Sequence, residues 1–304
     1  MQAAFDDLAG GRFDVPAVGH VPGLGGMFHI KSAQRAGSPA LAAIKVNGNF
    51  PGNRGQHDLP TIQGFIALLD AERGCVLALM DSIEITARRT AAATALAAKY
   101  LAKPGSRSLA MIGCGVQARY HVEALRDVAP IETVAFCDPH EAAADAFGAQ
   151  VPELGMTACR VGDAKTAARG ADIVITVTTS TRPVLGLADI APGAFVAGVG
   201  ADNPSKHELD TDLMKAGHVI VDSVAQASTM GDLHHALTAG VMQATEVRGE
   251  LAELVAGRVT GRSSGDERWI FDSTGLSIQD LAAAEMIYNR ARADSGVPQI
   301  RLGN

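Results

Sequence analysis

Short apolar runs divided by tight polar turns fill the first part of the chain, and apolar strands alternating with helical stretches fill the rest. Residues 1–39 are rich in glycine and proline and read as extended and turn structure, with a helical scrap at 3–8. Residues 41–46, 61–69 and 75–81 read as strands. The loop NGNFPGNRGQHDLP and the turn AERG separate them, a pattern of antiparallel neighbours in a domain of their own. Residues 83–102 predict a long alanine-rich helix stopped by Lys103, Pro104 and Gly105, which also mark a natural domain boundary. Beyond it, strands at 108–112, 133–137, 157–161, 172–178, 194–199 and 218–221 alternate with helices, and such alternation predicts a parallel, doubly wound α/β sheet. A helical region at 243–255, a strand-like WIFDS and a last helix at 277–292 follow.

The first unit of the alternating region, RSLAMIGCGVQARYHVEALRDVAPIETVAFCD, carries more than a pattern. A short strand runs into Gly113 and Gly115, with Ala118 at a third small position, then a helix and a second strand ending at Asp138. The first glycine permits a tight turn, the second lets backbone approach a pyrophosphate, and Ala118 lets helix and strand pack closely. The helix N-terminus offers unpaired N–H donors to phosphate charge. Asp138 follows Gly115 by 23 positions, where an acid accepts from a ribose 2′-hydroxyl. A carboxylate there repels a 2′-phosphate, which favours NAD; Arg119 and His140, close in sequence, keep NADP open.

At 304 residues the chain is long enough for about two domains with proper cores. Hydrophobic residues at 47% and charged residues at 19% describe a folded, globular chain, and a net charge of −7 argues against nucleic-acid binding. The acidic start MQAAFDDLAG lacks the apolar core of a signal peptide, and no apolar run reaches the roughly 18 residues a bilayer span needs. Cys75, Cys114, Cys137 and Cys159 show no CxxC pairing and read as reduced thiols packed as small hydrophobes in a cytoplasmic protein.

Three residues stand out for chemistry. Arg89 shares a helical stripe with Ile85, Leu96 and Tyr100, at offsets of −4, +7 and +11, so it points inward while Arg88 points away. A buried guanidinium needs an anion, either a ligand carboxylate or an acid of the same chain. Lys45 sits in the apolar run ALAAIKV and either faces water at a strand edge or meets an anion inside a site. Asp202 follows a parallel strand at its carboxyl end, where ligands of open sheets bind; it is either a proton-transfer group or a turn aspartate before Pro204. GRSSG at 261–265 lacks a leading strand, and His234 and His235 lack ligand spacing and read as solvated or capping residues, so neither predicts a site.

Taken in order, KVNGNFPGN (45–53), ITARRTAAATALAAKYLA (85–102), IGCGVQA (112–118), ADIVITVTTS (171–180), GADNPSKHEL (200–209) and FDSTGLSIQD (271–280) resemble the ornithine cyclodeaminase/mu-crystallin family. The resemblance implies a homodimer whose subunit has a Rossmann domain at 106–280, inserted in a smaller α+β domain of 1–105 and 281–304 that binds substrate and dimerises. By matching motif, Lys45 and Arg89 hold a substrate carboxylate and Asp202 transfers a proton. Thr61, Thr178, Lys206 and Ser273 line the cofactor, joined by Arg89, Val116, Gln117, Thr179, Ser180 and Val199. The activity implied is reduction of an imino acid such as Δ1-pyrroline-2-carboxylate to L-proline, or the reverse dehydrogenation. Cyclodeamination of ornithine with tightly held NAD is the nearest rival, and a non-enzymatic crystallin-like binder is a second one. Where the family carries a further carboxylate-binding arginine, VPAVGH offers Val18, which tilts the reading away from ornithine.

Overall fold

The computed structural model describes every residue except 16, 17, 295 and 301–304. Contacts divide the chain into two compact units, Met1–Arg89 with Leu276–Asn304, and Thr90–Gly275. The divisions fall inside the alanine-rich helix and before Leu276, not at 105 and 280, so Asp280 belongs to the first unit. Two residues of VPAVGH, 16 and 17, lie outside the described residues.

In the first unit, α1 (Gln2–Ala9) precedes β1 (Phe13–Asp14), β2 (Gly19–Gly23), β3 (Gly26–Arg35) and β4 (Leu41–Asn49). A single turn, α2 (Asn53–Gln56), then leads to β5 (Ile62–Asp70) and β6 (Val76–Asp81). The strands form one antiparallel sheet in the order β1-β3-β4-β5-β6, with β2 paired to β3. Before residue 40 the sequence pattern predicts the helical scrap that α1 bears out, and otherwise only turns and extended chain. In fact β3 pairs with β4 from Met27↔Asn49 to Arg35↔Leu41, yet Ala33 alone in it is fully buried, so its alternation is too faint to read. In β4 the contrast is strong: Leu41, Ala43, Lys45 and Asn47 turn inward and are buried, while Ile44 turns outward.

The helix α3 (Ile83–Leu101) begins in this unit, with the Asp81 carboxylate accepting from the Ile83 N–H at 2.7 Å. The last helix, α11 (Ser277–Ala291), packs on β3, β4 and β5 and buries Ser277, Ile278, Leu281 and Ala284. Two further ties hold it: Arg35 donates to both oxygens of Glu285, at 2.6 and 2.8 Å, and the Ser277 hydroxyl donates to the Ser32 carbonyl at 2.7 Å.

The second unit is the alternating region. It runs β7 (Ser108–Ile112), α4 (Val116–Arg126), β8 (Thr133–Cys137), α5 (Glu141–Glu153), β9 (Thr157–Arg160), α6 (Ala164–Ala168), β10 (Ile173–Thr176), β11 (Thr181–Leu185), β12 (Phe195–Gly198) and β13 (His207–Leu209). Then come α7 (Thr211–Ala216), β14 (His218–Val221), α8 (Val224–Ala227), α9 (Gly231–Thr238), β15 (Gly249–Glu250), α10 (Leu251–Val255) and β16 (Trp269–Asp272). Eight strands form a parallel sheet in the order β15-β14-β16-β12-β10-β7-β8-β9, and β11 pairs with β13 apart from it. Every residue of β10, β12 and β16 is buried, as expected for strands covered on both faces. Strand order reverses between β7 and β10, which makes the carboxyl edge there the crevice for a ligand. The helix expected at 243–255 is broken: a 3-10 turn at Ala244–Glu246 and α10 flank β15, where Gly249 has φ of +154°, a conformation a helix cannot hold.

Because Leu281 is fully buried between α11 and the sheet, Leu281→Ala is expected to destabilise the protein by about 2–5 kcal/mol, read from the denaturant midpoint. A loss below about 1 kcal/mol would show that α11 does not anchor this sheet.

Candidate active site

Three charged side chains meet inside the first unit. Lys45 Nζ lies 2.7 Å from Asp280 Oδ2, and Arg89 Nε donates to Asp280 Oδ1 at 2.9 Å, with side-chain exposures of 5%, 6% and 2% for Lys45, Arg89 and Asp280. Arg89 also donates through Nη1 to the Gln279 side-chain oxygen at 2.8 Å. Arg88, one residue away, is exposed and pairs with Glu84, so the helical stripe assigned the two arginines correctly. Lys45 is on an interior strand, which removes the edge reading. The anion between the two cations is an acid of the same chain, and it serves both.

Burial, and then the neighbouring Arg89 charge, lower the Lys45 pKa to about 7, against the pull of Asp280. Burial also opposes ionisation of Asp280, yet Arg89 and Lys45 hold its carboxyl below the ordinary range. Lys31 stands directly across from Lys45 in the β3–β4 register and adds positive charge. Below pH about 7, where Lys45 is protonated, two cations on one carboxylate leave the trio with a surplus positive charge in a place nearly closed to water.

The second unit gathers most of the other predicted residues along its carboxyl edge. Gly113 has φ of +93°, and a Cβ there would stand 3.0 Å from the Val177 carbonyl oxygen. Gly115 caps α4, and a Cβ on it would meet nothing within 4 Å, so the space beside the helix N-terminus is open for a phosphate to approach. Val116 is exposed on the first turn, next to Gln117, and Ala118 is wholly buried against the strand. Asp138 follows β8; its Oδ2 accepts from the Cys114 N–H and its Oδ1 from the His140 N–H, each at 2.8 Å, so the backbone fixes its direction. Thr178, Thr179 and Ser180 follow β10, Val199 and Asp202 follow β12, and Ser273 follows β16, its N–H bonded to Gly198 O at 2.9 Å. Lys206 Nζ reaches Asp202 Oδ1 at 2.7 Å, and the Asp202 side chain is 52% exposed. Thr61 belongs instead to the first unit, where its carbonyl accepts from the Phe50 N–H at 2.8 Å.

Four acids that sequence reading passed over lie beneath this edge, all wholly buried: Glu208, Asp222, Asp232 and Asp272. Each accepts backbone N–H groups of a neighbouring segment. Glu208 takes those of Thr178 and Gly200, Asp232 those of Glu208 and Leu209, Asp272 that of Leu233, and Asp222 those of Ser223 and Gly275. Burial, and then the charges of Asp272 and Glu208, push the Asp232 carboxyl well above its ordinary range; burial pushes Asp272 up to about 7, with Asp222 adding to it. Oδ2 of Asp232 and Oδ1 of Asp272 have no hydrogen-bond partner. The available signal was an acid inside or ending an apolar run, as in HEL and WIFD.

His234 and His235 are half-buried and each bonds a backbone carbonyl, that of Ser228 at 3.1 Å and that of Lys206 at 2.8 Å; His235 also stacks on His207 with ring centres 3.9 Å apart. No metal-binding cluster occurs among the described residues. Cys114 and Cys137 are buried as expected, but Cys75 and Cys159 are exposed. A cavity of about 860 Å³ lined by Lys165, Arg169, Leu187, Pro192 and Arg268 sits where the chain enters β10, β12 and β16, the edge away from the crevice.

The sequence matches the ornithine cyclodeaminase/mu-crystallin family over residues 1–295. It is 39% identical to an alanine dehydrogenase of Archaeoglobus fulgidus over 250 residues, 82% of this chain and 77% of that relative. A solved archaeal alanine dehydrogenase dimer with bound NAD is similar with a TM-score of 0.94 at 35% identity, covering 99% of this chain and 92% of that one. The Δ1-pyrroline-2-carboxylate reductase of Thermococcus litoralis, solved with NADH and L-proline, has a TM-score of 0.92 at 31% identity, over 96% of this chain and 91% of that one.

The buried acids make stability depend on pH. With its pKa raised, Asp272 keeps its proton in the folded chain up to about pH 7, while the unfolded chain releases it near the ordinary value of 3.8, so folding is penalised as pH rises between the two. Asp272→Asn is therefore expected to melt above the parent protein at pH 8, with the gap closing as pH falls toward 4. A gap that stays constant with pH would contradict it.

Proposed function

The chain belongs to the ornithine cyclodeaminase/mu-crystallin family, and on that premise we propose that it is an NAD(P)H-dependent imino acid reductase, working in reverse as an amino acid dehydrogenase. The observation that carries this is the cation pair of Lys45 and Arg89 around Asp280. A buried surplus of positive charge is costly unless an anion completes it, and a small α-carboxylate has the charge and the planar, two-oxygen shape that a guanidinium favours.

In this reading Lys45 and Arg89 orient the substrate carboxylate, and Asp202 gives a proton to the imine nitrogen or takes it back in the reverse direction. Asp202 is half exposed beside Lys206, so the proton it passes to the nitrogen is drawn from water, and in the reverse direction is returned to water. Gly113, Gly115, Ala118 and the α4 amide groups receive the pyrophosphate, Asp138 accepts from the adenosine ribose and so favours NAD, and Thr178, Thr179, Ser180, Val199, Lys206 and Ser273 face the rest of the cofactor, with Thr61 from the first unit. When bound, the nicotinamide supplies the hydride for reduction and takes it in oxidation. The substrate is a cyclic or simple imino acid, Δ1-pyrroline-2-carboxylate foremost, and the four free thiols suit a reducing, cytoplasmic setting.

The test offers NADH and NADPH with Δ1-pyrroline-2-carboxylate, with pyruvate plus ammonium, and with ornithine, following absorbance and ammonia together. NADH oxidation with an imino acid is expected. Asp202→Asn should lower kcat about 100-fold, and Lys45→Met or Arg89→Met should raise substrate KM about ten-fold or more. KM should also climb above pH about 7, as Lys45 loses its proton. No cofactor turnover with any imino acid would defeat the proposal, and ammonia from ornithine without net NADH change would assign the cyclodeaminase.

The sheet of the first unit also suits a homodimer. Its outer face, opposite Lys45, exposes Ile44, Phe65 and Leu79 at 39%, 44% and 63%, on adjacent strands. Such an apolar face marks an interface, and the similar archaeal alanine dehydrogenase is a dimer. Leu79→Glu is expected to sediment as a monomer; an unchanged dimer would place the interface elsewhere.

A further inference from the structure

Among the buried acids, Glu208 has geometry suited to one task. Its Oε1 accepts from the Thr178 N–H at 2.6 Å, and its Oε2 accepts from the Gly200 N–H at 2.6 Å and the Thr176 hydroxyl at 2.8 Å. Thr176 ends β10, Thr178 follows it and Gly200 follows β12, so one carboxylate ties the turns of two neighbouring strands on the cofactor edge. The fit is close enough to require glycine: a Cβ on Gly200 would stand 2.2 Å from Thr178 O and 2.6 Å from Glu208 Oε1. The Glu208 backbone is fixed from behind, its N–H donating to Asp232 Oδ1 at 2.8 Å.

Three donors and no acceptor converge on this side chain. Glutamine cannot replace it quietly, because its NH2 would face an N–H in either orientation. Burying an acid beside Asp232 and Asp272 with no cation at hand is also costly for stability, which marks Glu208 as kept for something other than folding.

We propose that Glu208 is a positioning residue of the active site, setting the separation of the turns after β10 and β12 and thereby the placement of Thr178, Thr179, Ser180, Asp202 and Lys206. This rests on the oxidoreductase reading above for its consequence, though the tie itself is a matter of backbone geometry.

The test compares the full-length parent with Glu208→Gln and Glu208→Asp, the second retaining the charge but drawing it back by one methylene. Three quantities are read: NADH affinity by fluorescence, kcat and KM with the imino acid that the parent turns over, and amide hydrogen exchange at Thr178 and Gly200 without cofactor. In Glu208→Gln, NADH binding is expected to weaken about ten-fold and kcat to fall. Exchange should accelerate at Thr178 and Gly200 in both variants and not in the core strands. Parent-like NADH affinity, kcat and exchange in both variants would overturn the proposal, as would uniform acceleration of exchange across the unit, which denotes loss of fold. Should the parent itself bind no NADH, the functional reading fails, and local exchange alone decides whether Glu208 holds the turns.

Discussion

An ammonium and a guanidinium withdrawn from water must find an anion, and among the described residues Asp280 meets both Lys45 and Arg89. Much else follows from that. The anion comes from α11, which is also the helix that covers the inner face of the sheet, so the packing of Leu281 and Ile278 and the pairing of the charges are one event. A trio with excess positive charge is not a self-sufficient ion pair, and that excess is what the proposed role in binding a carboxylate rests on.

The second unit solves a different problem with the opposite charge. A parallel sheet ends in turns whose N–H groups point at the crevice, and those not meant for the ligand need acceptors. Four buried carboxylates accept backbone N–H groups there, three of them from earlier segments of the chain. The result is a firm edge at a cost in desolvation, the same desolvation that raises the pKa values of Asp232 and Asp272. Stability is thus spent beneath the cofactor surface, where displacement of a turn by an ångström matters most.

What sequence reveals here tracks how decisively burial separates residues. The strands at 108–112, 133–137 and 218–221 are found to the residue, because both of their faces are covered and turns bound them. Arg89 is also legible, since a stripe on a helix needs no partner to be recognised. By contrast β3 is nearly invisible, with one fully buried side chain in ten. Asp280 and Glu208 are hidden for another reason: an acid in sequence looks solvated until tertiary contacts show the groups that meet it, and those lie far along the chain or in backbone amides that sequence cannot orient.

The first unit is interrupted, and its interruption sets an order of assembly. Arg89 and Asp280 are separated by 191 residues, nearly all of them the inserted sheet. On a ribosome that sheet is fully synthesised while β3 to β6 still wait for the helix that roofs them. Until α11 emerges, Lys45 and Arg89 have no Asp280 and the hydrophobic face of the young sheet has no cover. The nascent chain must therefore carry an open, cationic, apolar surface through most of its synthesis, and the closing of the ring by the last helix is the step that ends this exposure.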